Sequence, residues 1–110
     1  MKLPEGHQAY VDLAKLSDYC LNPEHPRGQH KARVFASVLG FTATHATNLQ
    51  DQLLQAARQA EVTLGENDIY GQRYVVDFVA VGPGGSGIIR SSWIIRTGEN
   101  FPRLVTCYVL

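Results

Sequence analysis

Apolar residues recur at two different spacings along this 110-residue chain, and the change of spacing divides it into halves. Up to about residue 60 the spacing is helical. Asp12 precedes apolar Leu13, Leu16, Cys20 and Leu21, a stripe behind an acceptable N-cap, and Asn22-Pro23 ends it. Two prolines and a glycine between Pro23 and Gly28 exclude regular structure there. A second helix is predicted from near Gln29 to Leu39, with Gly40 as its C-terminal glycine and Ala32, Phe35, Val38 and Leu39 as its buried stripe. A third runs from about Thr44 to Ala60, with Leu49, Leu53, Ala56, Ala57 and Ala60 on its apolar face.

From Gln72 onward the period falls to two. Tyr74, Val76, Phe78 and Ala80 alternate with the residues between them, so Gln72 to Val81 reads as a strand with one buried face. Ile88 to Arg96 and Leu104 to Leu110 read as further strands, and turns at Gly82–Gly87 and Thr97–Asn100 are short enough to join antiparallel neighbours. In the middle strand Ile89, Ser91, Trp93 and Ile95 share the face expected to pack on the helices. Arg90, Ser92, Ile94 and Arg96 share the other. By the same parity Arg103, Val105 and Cys107 face away from Thr106 and Tyr108. The last strand, apolar to its final residue, is expected to be inner or well covered. The fold class predicted is α+β, about three helices followed by a small antiparallel sheet of three to four strands. It makes one domain, with a helical half at about 12–60 and a strand half at about 72–110.

Composition narrows this picture. At 45% hydrophobic and 18% charged the chain is globular rather than disordered, and its length suffices for a core without a disulfide or metal staple. No apolar run approaches the roughly 18 residues of a membrane span. Met1 to Gly6 lacks the hydrophobic segment of a signal peptide, so a cytoplasmic protein is expected. Cys20 and Cys107 are far apart and read as buried thiols. His25 and His30 lack a cysteine pair to complete a zinc site, Gly82–Gly87 lacks the Lys-Ser/Thr of a P-loop, and no Gly-x-Ser-x-Gly elbow occurs. No cofactor or metal is expected.

Ten basic and ten acidic side chains give a formal net charge of zero, which argues against coating nucleic acid by bulk electrostatics. The distribution is uneven. His25 to Phe41 holds three cations, two histidines and no acid, and Ile88 to Leu110 holds three arginines and one acid. A basic loop entering a helix favours an anion such as phosphate. The competing reading is a solvated face whose cations pair with acids elsewhere.

Certain blocks carry more. Tyr19-Cys20-Leu21-Asn22-Pro23-Glu24-His25-Pro26, then Gly28-x-x-Lys31-Ala32-x-x-Phe35, Leu39-Gly40-Phe41, Trp93, and Pro102-Arg103-Leu104-Val105-Thr106-x-Tyr108 follow in order. In them the chain resembles an uncharacterised bacterial domain family found as small stand-alone proteins and as the C-terminal tips of polymorphic toxin and adhesin-like proteins. Helices followed by antiparallel strands, in that context, also look like the ribonuclease fold of barnase, RelE-type messenger RNA interferases and colicin transfer RNA nucleases. That second step is analogy between folds.

The resemblance implies a metal-independent endoribonuclease cleaving transfer or messenger RNA in the cytoplasm, with a small antitoxin or immunity protein as partner. In such chemistry a base takes the ribose 2′-OH proton, the oxygen attacks the adjacent phosphate, and cations stabilise the developing charge. His30 is the candidate base or acid, since its charge change lies near neutral pH. Lys31 is the cation of the most specific block and Arg33 a second. Ser92, Thr106 and Tyr108 are candidates to hold phosphate or orient the 2′-OH, and Arg90, Arg96 and Arg103 to stabilise the transition state. His30 and Lys31, adjacent on a helix, stand about 100° apart, so at most one points squarely at a shared site. Two alternatives stand beside this reading. One is a non-catalytic module holding a protein or anionic ligand on the same surface. The other is a homodimer paired through the last strand.

Overall fold

A computed structural model describes all residues from Met1 to Leu110. Helix α1 begins at Leu13, where the Asp12 carboxylate accepts a 3.0 Å hydrogen bond from the Ala14 N–H. After Lys15 it widens into a π-helical turn, Leu16–Cys20. The wider turn brings Leu16, Cys20 and Leu21 inward together and leaves Leu13 exposed, although the predicted stripe included it. Helix α2 spans Gln29–Leu39 and ends on Gly40, whose φ of 71° is a conformation glycine adopts without a Cβ penalty. Helix α3, Ala46–Gln59, follows a 3-10 turn at Ala43–His45.

Four strands follow: β1 Thr63–Asp68, β2 Gly71–Gly82, β3 Gly85–Arg96 and β4 Arg103–Val109. They pair antiparallel in the order β1-β2-β3-β4. The fold is therefore α+β, three helices on one face of a four-stranded meander. Strand β1 has no counterpart in the sequence reading. Its residues are polar apart from Leu64, it is almost wholly exposed, and its pairing slips between Leu64 and Asn67, so it carries no alternating signal.

The predicted inner faces are the observed ones. Tyr74, Val76, Ala80, Ile89 and Trp93 join the helix residues Leu16, Phe35, Leu39, Leu49 and Leu53 in one core of 21 buried residues. Burial of each such large side chain contributes about 1.5–3 kcal/mol. Ser91 is the one buried polar residue among them. Its hydroxyl accepts the Trp93 indole N–H at 2.9 Å and donates to the Val76 carbonyl at 2.7 Å, so burying the indole strands no donor.

One expectation for β4 is narrowed and one corrected. The strand is not inner, being last in the sheet order, but it is well covered, with none of Arg103–Val109 exposed. Its start is covered instead by Tyr10, which accepts from the Leu104 N–H at 3.0 Å and donates to the Pro102 carbonyl at 2.9 Å. Nor does simple parity hold along it. Ser92 faces Thr106 while the next residue, Trp93, faces Leu104, so Val105 is an extra residue, a β-bulge. Across the bulge Arg103 and Thr106 lie on the same outer face as Ile94 and Ser92, whereas Cys107 turns inward beside Ser91.

Candidate functional site

The site begins with the irregular loop before α2. His25 Nδ1 accepts hydrogen bonds from the backbone N–H groups of Arg27 and Gly28, both at 3.0 Å, which leaves the ring proton on Nε2. Gly28 lies so close to α1 that a Cβ there would stand 2.2 Å from the Tyr19 carbonyl oxygen, so only glycine lets the loop seat on Tyr19. The Tyr19 and His25 rings then meet edge to face at 4.7 Å.

This seating sets Lys31, in the first turn of α2, against the edge strand. Its Nζ lies 3.3 Å from Thr106 Oγ1 and 5.5 Å from the centroids of both the Tyr19 and Tyr108 rings. Lys31 is half-buried and forms no ion pair. Around it opens a cleft of about 580 Å³ lined by Tyr19, His25, Lys31, Lys15, Thr106 and two carboxylates, Asp12 and Asp18. Asp12 caps α1, and Asp18 accepts from the Ser17 hydroxyl at 3.2 Å. Lys15 donates to the carbonyls of Val105 at 3.0 Å and Leu104 at 3.5 Å, capping backbone acceptors that the sheet edge leaves unpaired. A second hollow of about 430 Å³ shares Asp12, Lys15 and Val105 with the first and reaches Arg73, Arg96 and Arg103 on the outer sheet face. The two hollows adjoin along those three residues.

Of the residues singled out in the sequence, Lys31, Thr106 and Tyr108 come together. Ser92 is the cross-strand partner of Thr106 on the open face. Arg90 stands opposite Tyr108, but its guanidinium is bound in a bidentate pair to Asp77 at 2.9 and 2.8 Å. That pair holds the Asp77 carboxyl below its usual range. Arg103 is held similarly by Glu99, both bonds 2.9 Å, and lies over the Tyr10 and Phe101 rings. Arg96 is exposed and makes no ion pair. His30 is exposed and lines, with Lys31, Val34 and Tyr108, a different hollow from that of His25, while Arg33 turns to solvent with Nη2 3.4 Å from Gln29 Oε1. Five lining residues, Asp12, Lys15, Asp18, Tyr19 and His25, were not among the sequence candidates. The signal that could have found two of them is the Tyr19-to-Pro26 block, where the family resemblance is dense.

No curated protein matches the chain in sequence. Its fold is similar to that of a chain in the contact-dependent growth inhibition toxin–immunity protein complex from Klebsiella pneumoniae 342, with a TM-score of 0.70 at 17% identity, covering 91% of this chain and 98% of that one. The sequence itself matches a domain of unknown function along residues 2–110, and the chain belongs to that family, DUF6883.

Proposed function

We propose that this domain is a toxin-type endoribonuclease whose cleft at Lys31 binds a phosphate of transfer or messenger RNA in the cytoplasm. The observation that carries the reading is the state of Lys31: a half-buried ammonium, fixed by a hydroxyl and two aromatic rings, with no carboxylate partner. A cation held partly out of water without a counter-ion favours an incoming anion. The adjoining hollow that reaches Arg96 offers a cation for a second phosphate. The likeness of the fold to a chain of a growth inhibition toxin–immunity complex supports the toxin setting and a small immunity or antitoxin protein as partner.

Roles follow from chemistry. Lys31 stabilises the charge that develops on the phosphate when the ribose 2′-OH attacks it, and the Thr106 hydroxyl orients that group. His25, with its Nδ1 occupied by loop N–H groups, offers its Nε2–H as a hydrogen bond to the departing oxygen, which takes its proton from water. Because Asp12 is occupied at the helix cap, Asp18 is the acceptor for the 2′-OH proton. This reading moves the roles given to His30 to His25 and Asp18, which line the cleft with Lys31. The test is incubation of the purified domain with total cellular RNA, alongside growth on expression. Wild type is expected to cut RNA and arrest growth, and Lys31→Ala to lower cleavage by about 10²–10³-fold, the usual loss of one transition-state donor. Intact RNA and unimpeded growth with wild type would overturn the proposal.

A second reading, a non-catalytic protein-binding module, is favoured by the bare outer face of the sheet. There Val79 and Ile88 are cross-strand partners and remain 67% and 47% exposed, with Val81 at 62% beside them.

A further inference from the structure

Two residues 87 positions apart, Cys20 at the end of α1 and Cys107 on β4, bring their sulfurs to 4.0 Å in the interior. Neither exposes any surface. Both were expected to be separate, inert thiols, and fold topology alone makes them a pair. The inward turn of Cys107 depends on the Val105 bulge, which restores it to the helix-facing side beside Ser91. The inward position of Cys20 depends on the π-helical turn.

We propose that Cys20 and Cys107 are a disulfide-forming site that staples α1 to β4 when the chain meets a low-molecular-weight disulfide. The side chains need to close by about 2 Å, from contact to the S–S length of roughly 2.05 Å. The Cys20 thiolate attacks one sulfur of the small disulfide and expels its other half as a thiolate. Cys107 passes its proton to that thiolate and displaces the remaining half from Cys20. The two protein thiols are oxidised, and the small disulfide is reduced to two thiols. The environment suits Cys20 to the first step. The Cys107 S–H donates to its sulfur, and the Lys31 charge and Thr106 hydroxyl add to this, lowering its pKa to about 7. A thiol with a pKa near ambient pH is the best attacker in exchange. Cys107, raised by the same contact and by burial, stays protonated until the second step.

The site's position gives the staple a consequence. Cys20 follows Tyr19, and Cys107 follows Thr106, so the bond would join the two walls of the Lys31 cleft. It would also close a long loop, which constrains the unfolded chain strongly.

The experiment is a redox titration of the whole chain in mixtures of reduced and oxidised glutathione, followed by alkylation under denaturing conditions, intact mass and non-reducing peptide mapping. It is run on native protein, in which the thiols are reached through local opening, and on chain refolded from denaturant in the same mixtures, in which they start exposed. The expected result is a monomer lighter by two hydrogens, a single cross-linked peptide pair containing Cys20 and Cys107, and a thermal midpoint raised by roughly 10 °C. The mass loss should vanish in Cys107→Ala. Two alkylated thiols at every ratio in both arms, or only glutathione adducts, would overturn the proposal. Neither outcome depends on whether the domain cleaves RNA.

Discussion

The two basic segments of this chain end in opposite electrostatic states. In the strand half, Arg90 and Arg103 are each clamped by a carboxylate, Asp77 and Glu99. In the helical half, Arg27, Lys31 and Arg33 have no ion-pair partner at all. Chain geometry explains the difference. Asp77 is the direct antiparallel partner of Arg90, and Glu99 lies four residues before Arg103 across a turn, so each acid arrives with its arginine. The run from His25 to Phe41 contains no acid, and only a distant segment could have supplied one. What the fold brings to Lys31 from 75 residues away is a hydroxyl rather than a carboxylate. Equal totals of charge thus conceal two clamped strand arginines, with Arg96 left unpaired, and a helical segment whose cations all lack a partner.

The contrast can be erased by giving Lys31 an acid. Thr106→Asp is expected to reduce RNA cleavage by about 10–100-fold while leaving the unfolding midpoint nearly unchanged, since the attraction of a half-buried pair is offset by the cost of desolvating its charges. Thr106→Ser should retain activity. Full cleavage by the aspartate variant would remove Lys31 from the chemistry.

A smaller effect separates the regions by acid. Asp77 and Glu99 are held below the usual carboxylate range by bonds from Arg90 and Arg103. Their folded values lie below their unfolded ones, so the stability they contribute is fully present above about pH 4 and is lost as pH falls through the depressed values. Asp77→Asn should flatten the acid limb of a stability–pH curve; an unchanged limb would contradict the assignment. Smallest of all, Arg90→Met is expected to lower stability only slightly, because the pair is exposed to solvent, and to affect cleavage less than Lys31→Ala does. Equal losses would place Arg90 beside Lys31 as a working cation.

Much of the frame was legible. Helix α2 begins and ends where its stripe and Gly40 place it, and the alternation through Tyr74, Val76 and Ala80 names the buried face of β2 correctly. Strand β1 was invisible because it buries almost nothing and so needs no pattern. The last strand misled for the converse reason: its apolar residues suggested an inner position, yet β4 is an edge covered by Tyr10 and Lys15. Of the candidate site, Lys31 and Thr106 could be nominated from their blocks, but parity alone put Arg103 and Thr106 on opposite faces. One extra residue, Val105, reverses that.

By itself the sequence determined the helix and strand periods, the stop at Gly40, the inner face carried by Trp93 and the absence of acids between His25 and Phe41. These are properties of neighbouring residues, set by backbone geometry and by which side chain stands three, four or two places away. Only the tertiary structure decided that β4 lies at the edge, that Lys31 meets Thr106, that Arg90 and Arg103 are neutralised and that Cys20 touches Cys107. Each of those contacts depends on how separate elements pack and pair. A single bulge or a widened helical turn redirects them without leaving a clear mark in the local pattern.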